Sequence, residues 1–170
     1  MIWPEWGRMM ILPRLVWTVG GYIEPMFDVM TAIHVLVAVF AVGPMAILPM
    51  IALRGIREKQ APLVDSMARS TFVFSLVSLA VVIFGFGALG TAPEQRDWSF
   101  GSLWIWLSIV LYLVALGLML GLVVPTMRAA ADGLRSAADS VQSGYSKVAA
   151  GSGVATLLLV AVVVLMVTKP

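Results

Sequence analysis

The chain has 170 residues, one domain's worth, and no Cys, which excludes disulfides, thiolate metal sites and cysteine nucleophiles. Hydrophobic residues make up 61% and charged residues 12%, whereas a soluble domain carries roughly 45–50% apolar and about 25% charged residues. A water-soluble fold of this size has no room to hide that much apolar surface, and a net charge of +2 with no basic stripe argues against nucleic acid as a partner.

Residues 1–28 form a segment distinct from the rest. Their apolar stretch, 9–19, is too short to cross a bilayer and is interrupted by Pro13 and Arg14. It lacks the small-residue cleavage pattern of a secretory signal. Trp3, Trp6, Trp17 and Tyr22 suit a segment lying at headgroup level. A flexible tail and a translation start at Met26 are the competing readings.

The remaining residues, 29–170, contain four long apolar runs at about 30–53, 71–91, 103–125 and 148–168, none holding Asp, Glu, Lys or Arg. At 1.5 Å per residue each is long enough to cross a hydrocarbon core of about 30 Å. Lipid offers the backbone no hydrogen-bond partner, so each run must be helical, and the alternation of a membrane β-barrel is absent. The fold class expected is all-α: a polytopic four-helix transmembrane bundle with an N-terminal interfacial segment.

The first run contains Gly43, Pro44 and Pro49, which predict a kink near mid-membrane, because Pro lacks an N–H and crowds the preceding turn. The connector that follows holds Arg54, Arg57, Lys59 and Arg69, whereas the second holds only Arg96 and the third holds Arg128, Arg135 and Lys147. The positive-inside rule puts the first and third connectors in the cytoplasm and both termini outside, the orientation expected in a bacterial inner membrane. All six Trp then fall on the outer side. Residues 127–146 read as a short interfacial helix or as extensions of the third and fourth spans. The endings Pro49 to Arg54 and Pro125 to Arg128 hint at two duplicated hairpins related by an axis along the membrane normal.

Small residues mark the expected helix-packing positions: Ser75, Ser78 and Gly85 in the second run, Gly117 and Gly121 as a GxxxG in the third, and Gly151 and Gly153 in the fourth. They serve the chain's own bundle, or a homodimer or another membrane subunit.

His34 is the only His and the only side chain within a run that titrates near neutral pH. One reading makes it a hydrogen-bonded helix–helix contact, the other an axial haem ligand. Met30, one turn away on the same face, could not clamp a ring from the opposite side; Met45, Met119, Met166 or a second His34 could. A metal held by one His without Cys or membrane carboxylates has less support. No catalytic constellation is visible, and Glu94, Arg96 and Asp97 read as a solvated loop.

His34-Val-Leu-Val-Ala-Val with Val42-Gly43-Pro44, and Leu103-Trp104-Ile-Trp106-Leu running through Leu111-Tyr112-Leu to Val123-Val124-Pro125, resemble the first and third helices of small bacterial integral membrane proteins of unknown function, domain-of-unknown-function family 2269. The resemblance covers about residues 30–168. It implies a four-helix inner-membrane protein and no particular activity. The leading expectation is a non-enzymatic accessory or structural subunit in the lipid bilayer. A haem or other redox module using His34, and a small carrier using the kinked first span, are the alternatives.

Overall fold

In the computed structural model the backbone is described for residues 11–92, 102–136 and 141–168, and the side chains for 25–92, 102–136 and 144–168. Trp3, Trp6, Glu94, Arg96, Asp97 and Trp98, and the side chains of Trp17 and Tyr22, lie outside these limits. The described residues are helical, with no strand among them.

The elements in chain order are α1 (Ile11–Arg57), α2 (Ala61–Val77), α3 (Leu79–Gly90), α4 (Leu103–Leu118), a π turn (Met119–Val123), α5 (Val124–Arg135) and α6 (Val141–Thr168). Four stretches are long and apolar enough to cross a membrane: Pro25–Arg57, Ala61–Gly90, Leu103–Arg135 and Gly144–Thr168. The helices outrun the apolar runs at the basic end of the bundle. There α2 begins ten residues before Thr71, and α5 carries the third span on to Arg135. Ala, Arg, Met and Leu in these polar stretches are good helix formers, so the helix continues past the apolar limit. The third connector therefore extends the spans rather than forming a separate interfacial helix.

Burial runs opposite to that of a soluble protein: Phe40 is 71% and Leu157 70% exposed, on faces that belong to lipid. The core is a narrow seam holding Met45, Ala52, Val64, Ala68, Met119, Val123, Met127 and Ala155. Ala52, Ala68 and Ala155 let helix backbones approach closely, as helices in lipid favour, and Met45, Met119 and Met127 fill the space between them.

The α1–α2 turn is a Schellman motif. Gln60 N–H reaches Gly55 O at 2.8 Å and Lys59 N–H reaches Ile56 O at 3.2 Å, with Lys59 left-handed at φ 56°. Pro62 follows in the first turn of α2, where its missing N–H costs nothing. Gly55 makes the hairpin tight: a Cβ there would stand 3.0 Å from Val64 Cγ2.

The two hairpins pack reciprocally. Besides its own partner, α1 meets α6, and α2 meets α5. An Asp65 carboxylate shared by Arg69 at 3.0 Å and Arg135 at 3.3 Å ties α2 to α5 at the basic end.

Candidate functional site

Polar side chains inside the spans gather where the helical backbone is interrupted. The second span breaks at Ser78, between α2 and α3. Ser78 N–H still reaches Phe74 O at 2.9 Å, but Val81 N–H turns back only three residues, to Ser78 O at 3.0 Å. Ser78 Oγ donates to Ser75 O at 2.7 Å and lies 2.7 Å from Tyr112 Oη. A hydroxyl has one proton, and the carbonyl can only accept, so Tyr112 O–H must donate to Ser78 Oγ. The node thus runs in one direction, from phenol to serine to carbonyl, and joins α4 to the break in the second span. Ser75 Oγ beside it is buried without a partner, as are Thr31 Oγ1 and Thr156 Oγ1. One turn before Tyr112, Ser108 back-bonds to Trp104 O at 2.8 Å.

One turn along α3, His34 Nδ1 lies 2.7 Å from Val81 O. A carbonyl accepts only, so Nδ1 carries a proton, and in the neutral ring the lone pair is on Nε2. Gly85 makes the approach feasible, since a Cβ there would stand 3.0 Å from His34 Cε1 and 3.1 Å from Nδ1. Met30, one turn earlier on α1, packs its Sδ 3.4 Å from the Cβ position of Gly87. His34 and Gly85 are therefore brought together, and both act at the seam between α1 and α3.

Gly43, Pro44 and Pro49 lie within α1, which remains α-helical through all three. Pro44 and Pro49 have no N–H to offer the carbonyls of Phe40 and Met45. Pro49 is fully buried and a Cβ at Gly43 would meet nothing. In the third span the backbone does change form. Pro125 follows the π turn Met119–Val123, where the wider coil takes up the crowding that its ring imposes on the preceding turn. Thr126 Oγ1 supplies a donor to Leu122 O there at 2.6 Å. Gly151 of α6 packs on this turn, its Cβ position 3.1 Å from Leu122 Cδ2 and Val123 Cγ2.

The other packing candidates separate by direction. Gly117 and Gly121 are exposed, and at Gly117, Gly121 and Gly153 a Cβ would find no atom of the described residues within 4 Å. These three glycines do not hold the described bundle together. Tyr112 and the Val81 carbonyl are the components the sequence reading missed. A phenol in mid-span needs a hydrogen-bond partner, and that requirement could have paired Tyr112 with Ser78.

Among the described residues no group of three or more His, Cys, Asp or Glu is placed to hold a metal ion. A family model described as "predicted integral membrane protein", domain-of-unknown-function family 2269, matches residues 28–170. The chain belongs to this family. The match takes in both basic connectors and all of the four spans except the first three residues of the first, Pro25 to Phe27. No curated protein and no solved structure matches the chain.

Proposed function

We propose that this member of family 2269 is a non-enzymatic accessory or structural subunit of a bacterial inner-membrane complex, with both termini outside. The observation that carries the reading is the Gly117–Gly121 face. It is a close-approach surface in mid-span that the described residues leave uncovered. The polar groups of the spans support the reading too: the His34 and Tyr112 hydrogen bonds join helix to helix.

Because the chain has no Cys, a single introduced thiol reports its surroundings without background. Val114→Cys, exposed beside Gly117, is expected to cross-link to a neighbouring membrane protein or second copy in native membranes. Val163→Cys, equally exposed on α6, is expected to stay monomeric, and Gly117→Leu is expected to suppress the Val114→Cys adduct. Equal cross-linking from both thiols would contradict a specific face.

A second reading, a haem-binding redox module, is favoured by one observation. The Nδ1–H to carbonyl bond leaves the Nε2 lone pair as the atom that would bind iron. A Soret band that disappears in His34→Ala would support it over the first.

A further inference from the structure

We propose that the basic end of the bundle carries two binding sites for the headgroup of an anionic phospholipid, one at Arg57 beside Tyr145 and one at Arg128 beside Phe72. The guanidinium carbon of Arg57 lies 4.8 Å from the Tyr145 ring centroid, and that of Arg128 lies 5.3 Å from the Phe72 centroid. Each pair bridges two helices: α1 to α6 in the first, α5 to α2 in the second. The arrangement is reciprocal, since each hairpin supplies the arginine for one site and the aromatic ring for the other.

Charge complementarity selects the occupant. Of the described carboxylates at this end, Glu58 is taken by Arg54 at 2.7 Å, Asp65 by Arg69 and Arg135, and Asp132 by Arg135 at 2.7 Å. None pairs with Arg57 or Arg128. Both arginines are exposed, and each is held against a ring face rather than an anion. The ring contact holds the guanidinium in place without using an anion, and a guanidinium N–H fork matches a phosphodiester with two parallel hydrogen bonds.

The surroundings point to lipid rather than a soluble anion. Phe72 and the adjacent Val73 are lipid-facing, at 36% and 53% exposed. Pro125, one turn before Arg128 on α5, is exposed as well. An acyl chain can lie against Phe72 and Val73 while its headgroup meets Arg128. An anionic headgroup keeps its net charge beside the arginine, and a zwitterionic one brings a cation with it.

The test is native mass spectrometry of the full-length protein in mild detergent with phosphatidylglycerol or phosphatidylcholine of identical acyl chains. Two phosphatidylglycerol molecules are expected to be retained in preference to phosphatidylcholine. Arg57→Gln and Arg128→Gln should each weaken one site about fivefold, and the double variant should lose the preference. Arg54→Gln, whose guanidinium already belongs to Glu58, should change nothing. If a Gln variant does not fold, the Lys variant carries the test: it keeps the charge without the fork and should bind with intermediate strength. Equal retention of the two lipids would overturn the proposal. So would Arg54→Gln weakening binding as much as Arg57→Gln, or full displacement by inorganic phosphate or an acidic peptide at matched concentration.

Discussion

At the residue scale, hydrogen bonds across helices do what apolar burial does in water. The Tyr112–Ser78 pair is buried, and its proton direction is dictated by the Ser75 carbonyl. Interhelical hydrogen bonds in membranes contribute roughly 0.6–2 kcal/mol. Tyr112→Phe and Ser78→Ala should therefore each lower unfolding stability in detergent by about that much, and a double-mutant cycle should find coupling of about 1 kcal/mol. Additive losses would mean that the two hydroxyls act independently.

Gly85→Ala should disturb the α1–α3 seam, because the new methyl would press on the ring of His34. His34→Ala should relieve that clash, so the Gly85→Ala defect should shrink in the double variant, read as thermal stability. His34, Ser78 and Gly85 were legible because a titratable, a hydroxylic and a bare residue stand out in apolar runs. The Val81 carbonyl was not, since a backbone group leaves no mark on composition. The GxxxG of Gly117 and Gly121 was legible as a motif, but its facing away from the bundle follows only from how the third span is rotated against its neighbours.

At the scale of the elements, the four spans were legible from apolar length alone, and the breaks only in part. The Pro residues of α1 predict a kink, and the helix runs on either side of each of them. The third span changes form where Pro125 follows the five-residue π turn Met119–Val123, which contains Gly121. Pro125→Ala restores the missing donor and is expected to tighten the π turn towards regular α-helix. That would rotate Gly121 relative to α6 and alter the Gly151 contact. Amide hydrogen exchange over 119–126 should slow; unchanged exchange would separate the π turn from the proline.

The Schellman turn offers an opposite case. Lys59 is left-handed, a conformation that costs a non-Gly residue roughly 1–2 kcal/mol, partly offset by the greater entropy loss of Gly on folding. Lys59→Gly should stabilise the protein by about 0.5–1 kcal/mol, read as a rise in thermal unfolding temperature in detergent.

At the scale of the whole molecule, the fold is a pair of hairpins whose basic turns share one end and whose Tyr112, Ser78 and His34 join helix to helix. Residues 54–69 and 128–147 hold the arginines and lysines that set the expected orientation. A tag in the 54–69 connector should be protected from external protease in intact cells, and a tag in the 92–102 connector should be cut. The reverse pattern would invert the topology. The family was legible from short apolar motifs in the first and third spans, and its match over residues 28–170 agrees with the extent read from those motifs.

The His34 imidazole joins α1 to α3 through Val81 O, and we propose that this structural contact is its role. The direct test is an optical spectrum, oxidised and reduced, of gently purified full-length protein beside His34→Ala, with thermal unfolding recorded on the same samples. The claim predicts featureless spectra for both proteins and a lower unfolding temperature for the variant. A Soret band in the parent that vanishes in His34→Ala would contradict it and make His34 an axial ligand.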